Sequence, residues 1–582
     1  ELINQVQVYK SQKASLVEGG VAGSIELQTA NALENDEEHS FVVQTKLSYN
    51  DSADEHPDAD PLGNRLSFSY QGKFLDETLG FSIGYARLQQ PKISTQFVNY
   101  QPKYARLPID GLEDGGNSEP VLNADGTPKL DDDGNPIMES GWYVIPQGFE
   151  LMARGGEELR QGIMSSLVYQ PNDKLTLKGD LFFSKFDSEG IDRGYRVGGL
   201  GSIADGNAIY FQNPVLAGDN NQYIIGGDYY RDVSDDPNNN PPYPRYSNTL
   251  TLQTQADDNT TNSEVMSFGF NANYIISDEL EMSLDVAHSR GESDYRDEVM
   301  RMFIAEDASA AMPVVTDNIV VNMDTNGLDL PNISFNDDVT QALTDPNRMM
   351  VGSLEKYPHL EENEANSIRL DFKYTLENDF ISSIETGIRW ADRTYKKARQ
   401  AYNYCDVANY GNNLRNGNYV LGYDQDGNAS ETCMPYQLQE GEYETVQLQG
   451  DFAHFPAFIS VDNSQIESTW LHSQGEDTTA RKDWRYDWTI WQENHVEEET
   501  LSFYLQGNLD TELFGLPLTG NLGARVVYTE QKAIGVEDPI IKDTGDAIAD
   551  DFGVERYSYL KTELKEDFVD VLPSMNLNLQ LT

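Results

Sequence analysis

The chain has no run of 18 or more consecutive apolar residues, so it offers no candidate for a membrane-spanning helix. That absence closes one route across a bilayer and leaves another open. A transmembrane β-strand needs only about 9–11 alternating residues and escapes hydropathy analysis, so a mean hydropathy of −0.57 is no argument against a membrane. Basic residues are also few: 41 Lys and Arg stand against 97 Asp and Glu, a formal net charge of −56. Phosphate binding requires Lys and Arg to displace counterions, which argues against a nucleic-acid partner. The first residue is Glu1, with no basic n-region or apolar h-region after it, so any secretory signal is expected to be removed or to lie upstream.

Cysteine is nearly absent. Cys405 and Cys433 enclose 27 residues of polar chain, which suits one disulfide in an oxidising compartment, with two unpaired thiols as the alternative. If formed, the bond stabilises by roughly 3–4 kcal/mol on chain-entropy grounds. The seven histidines show no paired spacing, so no metal centre is expected. No nucleophile–base pair speaks for an enzyme, and no cofactor is expected. Asp424-Gln425-Asp426-Gly427-Asn428 and Asp131-Asp132-Asp133-Gly134-Asn135 place carboxylates at alternate positions, as calcium loops do. Their glycine falls at the fourth position instead of the sixth, and acidic β-turns are the better reading. The overall acidity reads as a soluble loop surface rather than a cation collector.

What the chain does have is period-2 alternation, which puts one set of side chains on each face of a strand. Leu175, Leu177, Leu181 and Phe183 alternate with Thr176, Lys178, Asp180 and Ser184; Leu280, Met282, Leu284 and Val286 alternate with Glu281, Ser283 and Asp285. The pattern recurs at Leu66, Phe68, Tyr70; at Phe81, Ile83, Tyr85; at Met266, Phe268, Phe270, Tyr274; at Ile368, Leu370, Phe372, Tyr374; and at Leu501, Phe503, Leu505. With segments near 40–50, 161–170, 381–395, 517–530 and 569–582, twelve strands are expected.

Their spacing is lopsided. Asp76-Glu77, Pro171-Asn172-Asp173, Ser277-Asp278-Glu279 and Glu377-Asn378-Asp379 read as tight polar turns. The intervening connections, about 89–160, 187–263, 290–365 and 396–498, are far longer than a compact soluble domain tolerates. Short turns on one side and long loops on the other is the arrangement of an outer-membrane β-barrel. Tyr169, Tyr274 and Tyr374 fall just before short turns, where an aromatic girdle belongs. Open sheet edges in hydrocarbon leave backbone groups unpaired, so closure is expected.

At the amino end, Val6-Gln7-Val8-Tyr9-Lys10-Ser11 precedes Glu18-Gly19-Gly20-Val21-Ala22-Gly23 and then Ser24-Ile25-Glu26-Leu27. This order, over residues 3–29, resembles the closing part of the plug domain of TonB-dependent receptors. Glycines there supply φ > 0 and close backbone approach. Leu167 to Leu177 and Leu513 to Leu518 resemble periplasmic turns of that family, and residues 571–581 resemble a strand past mid-barrel. The plug segment is similar to a proteobacterial subgroup associated with oligosaccharide uptake, although Gln12 stands where many relatives have Pro.

The resemblance implies an all-β protein: residues 1–30 as the C-terminal part of a plug, then 38–582 as about 12 strands of a transmembrane antiparallel barrel of about 22. Long extracellular loops are expected at about 51–63, 89–160, 187–263, 290–365, 396–498 and 531–567. It further implies a monomeric receptor in the outer membrane of a Gram-negative bacterium, surrounded by lipid and coupled to TonB through a region not in this chain. A scarce nutrient, foremost an oligosaccharide, enters as the plug moves; a ferric siderophore is the rival ligand. Trp142, Trp470, Trp484, Trp488 and Trp491 fall in expected loops. Trp484, Tyr486, Trp488 and Trp491, with Arg485 and Asp487, are the candidate ligand-binding cluster, since aromatic faces beside polar groups suit a sugar ring. The bland account of the same alternation is a strand rising above the membrane or an aromatic girdle. A passive porin or adhesin would lack a plug ahead of strand one. A soluble β protein would turn Leu177, Leu284 and Phe372 into a core.

Overall fold

Alternating side chains and laddered backbone hydrogen bonds together produce one sheet of twelve long strands, each antiparallel to its neighbours in sequence. The structure, a computed structural model, describes residues 3–581 apart from 20–22, 57–59, 101, 107–117, 121–126, 128–137, 141, 201–208, 218–222, 232–249, 311–312, 314, 317, 326–328, 379, 401, 405–421, 424–428, 432–434, 474–491, 537–547, 550–554 and 557–560. The strands are β1 (His39–Tyr49), β2 (Leu62–Phe74), β3 (Leu79–Pro91), β4 (Gly148–Asn172), β5 (Leu175–Gly198) and β6 (Thr251–Ile275). They continue as β7 (Leu280–Ile304), β8 (Met349–Thr375), β9 (Ile381–Arg399), β10 (Asn494–Leu513), β11 (Leu516–Val536) and β12 (Lys561–Leu579). All twelve expected strands are present. Among the described residues β1 pairs only with β2 and β12 only with β11, so the sheet is open at both edges.

The short turns follow their chemistry. Asn172 Oδ1 accepts the Lys174 N–H at 2.9 Å and Asn378 Oδ1 accepts the Phe380 N–H at 2.8 Å, side-chain mimics of a backbone turn. Leu75, Asp76 and Glu77 all adopt positive φ, an uncommon run without glycine. A fifth tight turn, Phe514-Gly515, joins β10 to β11.

Register assigns the two faces. Lys178 and Asp180 of β5, Ser82 of β3 and Arg369 of β8 share one face, here the inner face, because all of them bond residues 15–30. Leu177, Leu284 and Phe372 lie on the other side: Leu177 pairs with Tyr169 and Ala272, and Phe372 with Met282. That outer face has three zones. Next to the turns lies an exposed apolar band with Leu181, Phe268, Ile368, Ile388, Leu505 and Val571; Phe503 is 53% exposed. Apolar surface this continuous is foreign to a soluble monomer. Beyond it comes a charged zone of alternating sign, including Lys185–Glu264, Lys396–Glu362, Lys532–Glu497 and Lys565–Glu530.

The third zone was not expected. Strands β4 to β8 run well into the stretches read as loops, and their far outer faces carry Leu151, Tyr195, Leu252, Met300 and Leu354, all buried. They are buried by the connections themselves. A small sheet forms from Lys103–Arg106, Trp142–Ile145, Ile209–Ala217, Tyr223–Arg231, Val320–Asp324 and Asn332–Phe335, segments of three separate connections. Tyr229, Val321 and Phe335 from this cap, with Phe458, Ile466 and Trp470 from the fourth connection, complete one hydrophobic core. Trp470, expected in an open loop, sits on the helix Asn463–Ser473 and is 1% exposed. The helix is pinned to the strands by Lys356 to Glu467 at 2.7 Å and by Asn463 Nδ2 donating to the Ala256 carbonyl at 2.8 Å.

The outer zones predict depth-dependent tolerance of charge. In lipid vesicles, Phe503→Arg is expected to cost about 2–4 kcal/mol and Glu497→Arg, in the charged zone, about 0–1 kcal/mol. Denaturant unfolding of the inserted protein measures both; equal costs would contradict a lipid-facing band.

Candidate functional site

Residues 3–30 are built as a hairpin with a long connection that crosses the inner face. Ile3–Tyr9 pairs with Ser24–Thr29, and Val6 and Val8 lie opposite Leu27 and Ile25. Gly19 and Gly23 have φ of +106° and +127°, and a Cβ on Gly23 would stand 2.7 Å from the Tyr9 carbonyl oxygen. The Tyr9 hydroxyl donates to Gln7 at 2.6 Å and to Glu26 at 3.2 Å, closing the hairpin from the side. Val8, Lys10 and Ser11 are otherwise exposed, and Gly20 lies outside the described residues.

The connection is held by strands far away in sequence. Glu18 accepts from Arg525 Nε at 2.6 Å and from Arg389 at 3.2 Å, so one carboxylate lies between two arginines of β11 and β9. Arg525, 3% exposed, also donates to Ser502 at 2.7 Å and to the Ala14 carbonyl at 3.3 Å. Arg369 donates to the Ser15 carbonyl and pairs with Asp371, which accepts from the Tyr504 hydroxyl at 2.7 Å. The Tyr504 ring lies between the Arg369 and Arg525 guanidiniums. Gln506 and Asn576 bond the backbone of Ser15 and Gln12. Gly523 is required by this approach, since a Cβ there would meet that of Ala14 at 2.7 Å.

Above Glu18 and Gly19 opens a cavity of about 510 Å³, walled by inner-face residues of β7 to β12. Ser289, Ser367, Thr500, Thr529, Arg393 and Gln531 give it hydroxyl, amide and guanidinium groups. Such a lining can orient a polar ligand by several hydrogen bonds at once.

Farther along the inner face, beyond the apolar and charged zones, lies a buried ionic cluster. Asp192 of β5 stands opposite Asp257 of β6, with Asp297 and Arg301 of β7 on the diagonals. Arg301 donates two bonds to Glu355, at 3.2 and 3.0 Å, and Arg154 pairs with Asp192 at 3.5 Å. Burial raises the carboxyl of Asp192 to about 6 against the pull of Arg154, Lys92 and Arg193. Burial likewise holds Asp257 well above the usual range, with Asp297 and Asp192 adding to it against Arg301. Glu355 is also penalised by burial, yet Arg301 brings it below its ordinary value.

The cluster Trp484, Arg485, Tyr486, Asp487, Trp488 and Trp491 lies outside the described residues, as do Cys405, Cys433 and both acidic loops at 131–135 and 424–428. Among the described residues no three His, Cys, Asp or Glu side chains converge as metal ligands. The arginines of the inner face and the Asp192–Asp257 cluster were not singled out in sequence. Their only signal was an ionisable residue at an inward position of an otherwise apolar-alternating strand.

No family model and no curated protein matches the chain. Among solved structures, two of a ferric enterobactin receptor, one a mutant from Pseudomonas aeruginosa bound to enterobactin, are each 7% identical, with TM-scores of 0.19 and 0.20. Both overlaps cover 99% of this chain and 86% of the other. The FrpB iron transporter from Neisseria meningitidis is 8% identical over 99% and 88%, with a TM-score of 0.13. Overlaps at this level do not establish a common fold.

Replacing Glu18 leaves two guanidiniums facing one another without their carboxylate. Glu18→Gln is expected to weaken attachment of residues 12–18 by roughly 2–3 kcal/mol, somewhat below the figure for a fully buried pair. Faster amide hydrogen exchange across that segment would register it, and unchanged protection would contradict the latch. For Asp192, a folded-state value above the unfolded one means that the native protein binds the extra proton. Its contribution therefore falls as pH rises from about 4 through about 6. Asp192→Asn is expected to remove that loss, raising stability at pH 7.5 relative to pH 4.5 by up to roughly 2–3 kcal/mol in denaturant melts.

Proposed function

We propose that the chain is part of a TonB-dependent outer-membrane receptor that imports a scarce nutrient, foremost an oligosaccharide, by energy-coupled movement of a plug. The observation that carries this reading is the seating of residues 12–30 on the polar face of a sheet whose opposite face is an exposed apolar band. A porin or adhesin has no use for such a segment, and a soluble protein would not leave that band in water. In this reading residues 3–30 are the end of the plug, and β1 to β12 are part of a larger barrel, since two open edges cannot stand in hydrocarbon. Ligand enters from the side of the cap and reaches the cavity over Glu18 and Gly19. TonB, drawing on the inner-membrane proton gradient, then displaces the plug, and the ion pairs of Glu18 with Arg389 and Arg525 are contacts that must break.

Sugar hydroxyls suit the hydroxyl- and amide-rich cavity wall. Arg389 and Arg393 in the same wall favour a second reading, an anionic ferric chelate. Binding of the full chain to a panel of neutral oligosaccharides and of ferric chelates separates the two. Saturable binding of an oligosaccharide is expected, weakened about tenfold or more when Trp484, Trp488 and Trp491 are replaced together by Ala. Binding of the chelates alone would overturn the carbohydrate reading, and binding of neither panel would overturn the receptor.

A further inference from the structure

The inner face of β6 carries hydrogen-bonding capacity that the protein does not use. Gln255, Asp257 and Asn259 occupy three consecutive inward positions there, and Gln255 Oε1, Asp257 Oδ1 and Asn259 Oδ1 are all buried without a partner among the described residues. Gln255 is only 3% exposed. Buried polar atoms in folded proteins are nearly always satisfied, so three in a row on one strand call for an explanation.

We propose that this strip is a subsite for consecutive hydroxylated rings of a neutral oligosaccharide, which deepens the carbohydrate reading above and rests on it. Length argues against a single ion: inward positions repeat every two residues, so Gln255 and Asn259 stand about 13 Å apart along the strand. Charge argues against an organic cation, because Asp192, Asp257, Asp297 and Glu355 already face Arg154, Arg301 and Arg399. A hydroxyl answers these vacancies by donating to the three oxygens. Space is provided beside Asn259 by Gly190, its partner on β5. A Cβ at Gly190 would meet nothing nearer than Asn259, at 3.5 Å. Register places this strip on the same face as Ser289 and Ser367 of the cavity above Glu18, farther from the short turns. A chain of sugars could bond here first and reach the cavity with its far end.

The test titrates the full chain, in detergent, with neutral gluco-, galacto- and xylo-oligosaccharides and with a ferric catecholate chelate, by calorimetry. For the oligosaccharide that binds, the Gln255→Leu/Asn259→Leu double variant is expected to lose about 10- to 100-fold in affinity. Its thermal transition should not fall, since the replaced oxygens bond nothing among the described residues. Gln255→Glu, which keeps an acceptor, should retain most of the affinity. Equal oligosaccharide binding by wild type and double variant overturns the subsite and leaves the carbohydrate reading standing. Loss of affinity accompanied by a lowered thermal transition in both the Leu and Glu variants overturns it as well, assigning the residues a structural role. Binding of the chelate and of no oligosaccharide overturns both.

Discussion

Everything in this molecule hangs on an unbroken antiparallel ladder. Strand period is two, so a single slip of register would exchange the faces of a whole strand. Across β4, β5, β6 and β7 the pairing runs from the short turns to the far ends with one irregularity close to a turn and none in the long spans. That continuity is why Asp180, near a turn, and Asp192, twelve residues farther on, point the same way. It also means that the apolar band, the charged zone and the buried core of the cap share one face of one sheet.

The two faces answer to different solvents. The outer face changes partner along its length, from an apolar medium to a polar boundary to protein, and its side chains change accordingly. On the inner face the polar residues persist, and for its arginines the cost is met by pairing. Arg525 and Arg389 are satisfied by Glu18, Arg369 by Asp371, and Arg301 by Glu355. A segment lying on that face is therefore held by charge-assisted bonds and a few close approaches rather than by an apolar core, which lets it be rigid yet separable.

The parts legible in the sequence were those where one face meets a uniform environment. Leu175 to Phe183 alternate cleanly because every second residue belongs to the apolar band, and the turn residues Asn172 and Asn378 act locally. From residue 187 onward the same strand reads Asp-Ser-Glu-Gly-Ile-Asp-Arg-Gly-Tyr, where Asp187, Glu189 and Arg193 make the outer positions as charged as the inner ones and blur the period. The far halves of β4 to β8 therefore looked like loops. Trp470 was misplaced for a related reason: its neighbours come from the ends of other connections, and nothing within its own helix shows that they cover it. Glu18 and Gly19 stood out in sequence, but the role of Glu18 did not, because its partners lie 371 and 507 residues away.

By itself the sequence determined the class of fold, the number of strands, the short-turn side of the sheet and the face that each near-turn side chain takes. These follow from local periodicity and turn chemistry, which need no knowledge of distant residues. Tertiary structure alone decided how far the strands run, that three connections combine into one cap sheet, which arginines receive Glu18, and that Gln255 Oε1, Asp257 Oδ1 and Asn259 Oδ1 find no partner among the described residues. Each of these depends on which far-apart segments meet, and burial and pairing are properties of that meeting rather than of any one stretch of chain.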